Sequence, residues 1–472
     1  MPSEIASTPA VVAGAAAERS RIDAVSGTGT IIPARLERLP MTTYQRGIFL
    51  IIATAWFFDS VDLGSLTFVL GSIRTDFGLT TAQLGLLSSM SFVGMFAGAA
   101  LAGMLADRWG RKLVFQMSMI LWGLGSLWCA LASSIITLSY ARLLLGFGMG
   151  MEFPVALAIV SEFLPARRRG RYIAILEGFW PLGFIGAGLL SLILLSEFSW
   201  RSVFLCQAIP ALFVFIIRFY VPESPRWLAD RGRYAEANAV MSRIEEQVAR
   251  HLSGASLPDP QPLPQYRTTN RFSFLELWSK GYAVRTTMIW LVWFFALLGF
   301  YGLTTWLGAL LQAAGYSVTK SVSYTLLISL AGIPGFICAA WLIEAWGRKP
   351  TAVLMLLGSA VAAFFYGHAA TQTQLVIYGL AMQFFLFGMW SVLYAYTPEI
   401  YPTRARATGA GCASAIGRIG ALIGPYVVGV ILPSVGNDGV FALGAGSFAL
   451  AAASVAFLGI ETKGKSLEAI SE

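Results

Sequence analysis

Six ionisable residues stand in surroundings hostile to charge. Asp59, Asp62, Arg142, Glu152, Glu177 and Arg418 each lie in an apolar run of about twenty residues. A charge in such a run is costly and by default marks a substrate or ion path. Asp59 and Asp62 are three positions apart, so on a helix they project from one face. Arg142 and Glu152 share a later run. A carboxylate in a low-dielectric cavity keeps its proton unless a cation stands beside it. If the cation swings away the acid takes up a proton, and the cation's return expels it. Asp59, Asp62, Arg142 and Glu152 are therefore candidates for proton coupling, with the carrier acid left open among Asp59, Asp62 and Glu152. Arg418, in Gly417-Arg-Ile-Gly420, has small neighbours that leave space around a permanent cation. Guanidinium pairs bidentately with carboxylate, so its expected ligand is an organic anion. Trp180, Tyr301, Trp306, Trp390 and Tyr394, with Glu177, complete a candidate binding set suited to a flat aromatic acid.

The elements that hold these residues must be membrane helices. Of 472 residues, 56% are hydrophobic and 12% charged, against about 25% charged in a soluble domain. The mean hydropathy is +0.68. Apolar runs fall near 47–70, 83–106, 113–132, 137–163, 171–195, 200–221, 286–312, 320–344, 351–371, 374–397, 406–432 and 437–460, which predicts twelve spans. Residues 1–45 read as a disordered tail, 46–221 and 286–460 as two six-helix bundles, 222–285 as a polar linker with short helices, and 461–472 as a tail. The net charge of +8 gathers in alternate short loops, so it reads as membrane topology, not nucleic-acid binding. It predicts both termini and the linker on the cytoplasmic side. The four cysteines lie singly in apolar runs, and only two histidines exist. A disulfide framework, a metal centre and a His-based active site are not expected. No Gly-x-x-x-x-Gly-Lys-Ser/Thr loop offers ATP drive. No cofactor and no enzyme activity are expected, and the chain reads as a monomer.

The chain repeats itself. Asp107-Arg-Trp-Gly-Arg111-Lys112 returns as Glu344-Ala-Trp-Gly-Arg348-Lys349, and Glu162-Phe-Leu-Pro165…Arg169 returns as Glu399-Ile-Tyr-Pro402…Arg406. Both copies are displaced by 237 residues. Two motifs sharing one displacement imply parallel structural repeats around a central cavity. Asp107, Arg111, Glu162, Arg169, Glu344, Arg348, Glu399 and Arg406 are expected to cross-link helix ends as a cytoplasmic gate that biases one state over another. The six intramembrane charges are not duplicated, which separates substrate and proton work from scaffold.

These motifs resemble the major facilitator superfamily over roughly residues 45–465. Pro222-Glu-Ser-Pro-Arg226 and Pro398-Glu-Ile-Tyr-Pro402-Thr-Arg resemble its sugar-porter and organic-ion-transporter branch, and the pattern is most similar to bacterial niacin and aromatic-acid proton symporters. The resemblance implies alternating access and, for Asp59 with Arg142, a proton-linked ion pair. It also associates a cation in span 11, here Arg418, with anionic substrates. Spans 5 and 7 lack the Gln and Asn residues that grip sugars in that branch. The expectation is import of a small organic anion such as nicotinate by proton symport across a bacterial inner membrane. A sugar porter and an organic-cation or drug exporter are the alternatives.

Overall fold

The computed structural model describes residues 32–164, 166–251, 257–260, 277–279, 281–401 and 406–463; at 166–170, 174, 406 and 407 it describes the backbone alone. Among the described residues there is no strand. Eleven described helices are long and apolar enough to span a bilayer. The last of them breaks at Gly436, where φ is 64°, a left-handed conformation that glycine adopts without penalty. Counted on either side of that break, the helices number twelve, as the apolar runs predict.

We number them α1 (Thr43–Phe77), α2 (Thr81–Trp109), α3 (Arg111–Leu131), α4 (Ile135–Phe163), α5 (Ala166–Glu197) and α6 (Trp200–Tyr220). After the linker come α7 (Ala283–Thr304), α8 (Val318–Ala345), α9 (Arg348–Gly367), α10 (Gln372–Glu399), α11 (406–435) and α12 (437–458). Turn chemistry sets many of the ends. Thr80 with Gln83 and Thr371 with Gln374 form capping boxes at the starts of α2 and α10, which satisfy backbone N–H groups that a helix start leaves open. α2 and α4 approach so closely that a Cβ on Gly94, Gly98, Gly146 or Gly150 would meet the other helix's backbone. This is the small-residue contact by which helices associate in lipid.

At the end opposite the linker the two sets of helices come into direct contact. Gly308, just past α7, packs on the Thr67 carbonyl of α1, and Gly85 of α2 on the Pro425 carbonyl of α11. Ser89 Oγ donates to the Leu422 carbonyl at 2.6 Å. The rings of Phe92 and Tyr301 lie 4.5 Å apart across the same junction.

Of the tail expected to be disordered over 1–45, residues 1–31 lie outside the described residues, and the remainder needs correction. A short helix over 32–37 buries Ile32 and Leu36, and Leu39 beyond it is buried too. Arg35 and Arg38 both reach Glu245 of the linker helix Tyr234–Arg250, at 2.5 and 2.6 Å. The apolar spacing of Ile32, Leu36 and Leu39, with arginines between, is itself an amphipathic signal.

Candidate functional site

The intramembrane charges form two groups. The first lies within α1 and α4. Asp59, Asp62, Arg142 and Glu152 are all buried, with at most 1% exposure. The expected Asp59–Arg142 pair is not what forms. Arg142 Nη1 lies 3.7 Å from Asp62 Oδ1. Trp122 and Ser126 of α3 fix this choice by donating to Asp62 Oδ2 at 2.5 and 3.3 Å. With one oxygen held, the other faces the guanidinium, which also lies over the Phe204 ring at 5.6 Å. Asp59 instead has Glu152 and Asp62 as its charged neighbours. Among the described residues, both Glu152 oxygens and Asp59 Oδ2 are buried without a hydrogen-bond partner. Of the three carboxyl groups only Asp62 stands beside the guanidinium, and unpaired ions are not stable in such a place. Trp122 was not foreseen from sequence, where an indole in an apolar run carries no sign that it will face an acid.

The second group faces a central cavity whose atom-free space, its opening to solvent included, is about 640 Å³. Glu177, Trp180, Tyr301, Trp390, Tyr394 and Arg418 all line it, from α5, α7, α10 and α11. Trp390 and Tyr394 stack, with ring centroids 5.7 Å apart and planes 27° from parallel. Trp293, one edge against each of them, is fixed by its indole N–H on Thr397 Oγ1 at 2.8 Å. Arg418 lies over the Phe153 ring at 5.1 Å, and among the described residues no carboxylate is within ion-pair distance of it. Glu399 is engaged by Arg348, and Glu177 lines the same cavity without pairing with it. Trp306 is a correction. It is 1% exposed and gives its indole N–H to the Pro425 carbonyl at 3.1 Å. It packs the junction opposite the linker and does not line the cavity. Trp293, Phe153, Phe92 and Ser414 line it instead. Their types do not distinguish them from lipid-facing or core residues on neighbouring turns.

At the linker end the duplicated charges form two ion-pair lattices. Arg111 meets Asp107 at 2.9 Å and Glu162 at 3.5 Å. Arg348 meets Glu344 at 3.2 Å and grips Glu399 with two bonds of 2.9 and 3.1 Å. The side chains of Arg169 and Arg406 lie outside the described residues. A further pair of acids was missed. Glu223 accepts from the backbone N–H of Arg111 and Lys112. Glu461 accepts from Arg348 and Lys349 in the same way. Gly110 and Gly347, with φ of 102° and 115°, bring those N–H groups up to the carboxylates. Burial raises the Glu461 proton affinity, but four backbone donors outweigh it and hold the carboxyl below the usual range. The signal was present: Glu-Ser and Glu-Thr each follow the sixth span of a half.

Twelve helices in two parallel repeats, around one central cavity with an ion-pair lattice on each repeat at the linker end, define a transporter of the major facilitator superfamily. Solved structures agree: the partially occluded inward-open xylose transporter XylE from E. coli aligns with a TM-score of 0.72 at 19% identity, over 90% of this chain and all of that one. Residues 43–472 match the family described as Sugar (and other) transporter, and the chain belongs to it. The niacin transporter NiaP of Acinetobacter baylyi is 40% identical over 440 residues, covering 93% of this chain and 99% of the relative. The putative niacin/nicotinamide transporter NiaP of Bacillus subtilis is 34% identical over 425 residues, covering 90% and 98%. The chain is a membrane transporter of a small organic substrate and not an enzyme.

Proposed function

We propose that this transporter imports a small aromatic monocarboxylate, nicotinate foremost, together with protons across the bacterial inner membrane, with both termini and the linker inside. The observation that carries this reading is Arg418, a cation with no carboxylate partner among the described residues, in a cavity walled by Trp180, Tyr301, Trp390 and Tyr394. A carboxylate entering there gains a bidentate partner, and its ring gains flat walls. The names of the two NiaP relatives support nicotinate.

Proton coupling is assigned to the cluster of Asp59, Asp62, Arg142 and Glu152. An anion moving inward opposes the inside-negative potential, and a co-transported proton cancels that cost. In this reading Asp62 keeps its charge beside Arg142, while Glu152 and Asp59, lacking donors, hold protons. Rocking the bundles 46–221 and 286–460 about the cavity would move Arg142 among the three acids and release a proton. The junction opposite the linker is closed, so the conformation reads as inward-facing. The chain works as a monomer, because each repeat supplies its own gate and both supply the cavity.

The test is uptake into proteoliposomes under an inward proton gradient, with nicotinate, benzoate, an aliphatic acid, a hexose and a quaternary amine. Gradient-driven accumulation of the aromatic acids is expected. Uptake of the amine alone would favour an organic-cation carrier, for which Glu177 is the specific observation. Uptake of the hexose alone would return the chain to sugar transport.

A further inference from the structure

Arg418 accounts for one pole of the cavity; Glu177 is left over. An acid in the binding cavity of an anion transporter needs a reason, since a bare carboxylate there would repel the substrate. The repeat supplies the geometry. Displacement by 237 residues takes Glu177 to Ser414 and Pro181 to Arg418, and all four line the same cavity. α5 and α11 are thus repeat mates that face each other through corresponding turns. One presents its acid at the first of these turns. The other presents its base four residues further along, about 6 Å deeper along the helix axis. The two charges are therefore offset along the cavity wall, and among the described residues they make no ion pair with each other. The only other titratable groups lining the cavity are the Tyr301 and Tyr394 hydroxyls, and neither has a hydrogen-bond partner among the described residues.

Resting on the anion reading above, we propose that Glu177 recognises a ring nitrogen, so that the site takes a pyridine carboxylate in preference to a benzene carboxylate. The carboxylate of the substrate pairs with Arg418, the ring lies against Trp390 and Tyr394, and the ring nitrogen points to Glu177. One proton is shared on that contact. A neutral pyridine nitrogen accepts it from the Glu177 carboxyl, or a pyridinium N–H donates it to the Glu177 carboxylate. Either way the Glu177 pole is satisfied and its repulsion removed. Benzoate presents a C–H there and leaves Glu177 unpartnered, and a site with a polar group left bare rejects such an analogue.

The experiment compares uptake of nicotinate and benzoate by wild-type proteoliposomes, then by Glu177→Leu and Glu177→Gln. Wild type should prefer nicotinate by about tenfold or more, as expected for one unmatched buried hydrogen bond. Glu177→Leu should collapse the preference to about unity. Glu177→Gln, which keeps a donor amide, should retain most of it. Equal transport of both acids by wild type would overturn the assignment of Glu177 while leaving the aromatic-anion reading intact. So would an undiminished preference in Glu177→Leu. If the Leu variant fails to insert, the Gln variant decides, and loss of preference there would also overturn the donor contact. Transport of neither acid by wild type would overturn both readings.

Discussion

The same four positions tell different stories in the two halves. In the first half Asp62, Trp122, Ser126 and Arg142 converge into a buried polar knot. The corresponding positions in the second half, 237 residues on, are Gly299, Ser359, Ala363 and Gly379. There Phe448 lies over Gly299, while Tyr366 and Ile328 close over Gly379. One fold thus packs the same crossing either as an ionic cluster or as an apolar core. Close-packed rings and aliphatic groups hold a single arrangement, whereas a cluster with three acids for one cation has several protonation states. The half with the knot is suited to follow protons. The half with the rings carries Arg418, Trp390 and Tyr394 and is suited to hold a substrate.

The sharpest way to break this contrast is to alter its two sides separately. Asp62→Asn leaves Arg142 buried without its counter-charge and should lower stability by about 3–5 kcal/mol, with loss of gradient-driven accumulation. Ser359→Ala, at the position corresponding to Trp122, should change stability by no more than about 0.5 kcal/mol beyond the loss of its Met355 carbonyl contact. Thermal unfolding in detergent reads both, and equal effects would erase the distinction. Arg418→Asp should cut aromatic-anion uptake on the order of 100-fold, the scale of an inverted buried charge contact, while thermal unfolding changes far less than in Asp62→Asn. A loss of folding equal to that of Asp62→Asn would make Arg418 structural.

The gates give a smaller test. Glu399 is gripped at two points by Arg348, whereas Glu162 has a single longer approach to Arg111. Glu399→Gln should therefore change the substrate exchange rate by about fivefold, and Glu162→Gln by about twofold, in line with the worth of part-exposed ion pairs. The smallest effect concerns Glu461. Its folded-state carboxyl is held below the ordinary value, so its contribution is present above that ordinary range of about 4.3 and fades as pH falls through the folded value. Acidification from about pH 5 towards pH 4 should lower the melting temperature of wild type slightly more than that of Glu461→Gln.

Much of this was legible in the residues. Run length and the shared displacement of two motifs are properties of the chain itself, so spans and repeats followed from them, and Glu162 and Glu399 meet Arg111 and Arg348, while the side chains of Arg169 and Arg406 lie outside the described residues. Trp180, Tyr301, Trp390, Tyr394, Glu177 and Arg418 also meet in one cavity as expected. What escaped depends on rotation about helix axes. Asp59 and Asp62 share a face to within a turn, and only the position of Trp122 on another helix selects which of them meets Arg142. Trp306 shares its span with Tyr301, yet the turn at Thr305 and the bond to Pro425 direct it to the junction. The helix over 32–37 escaped for another reason. Its stripe is only two turns long, and it becomes meaningful only against Glu245, some two hundred residues away.

The two carboxylate caps, Glu223 and Glu461, have a mechanical consequence. Each lies just beyond the sixth helix of its half and fastens onto the first turn of the third, so the third to sixth helices of each half are closed into a hoop. A hoop turns as one piece: torque applied at the cavity wall reaches its far rim instead of dissipating in a loose end. Leverage is thereby conserved between the cavity wall and the linker end.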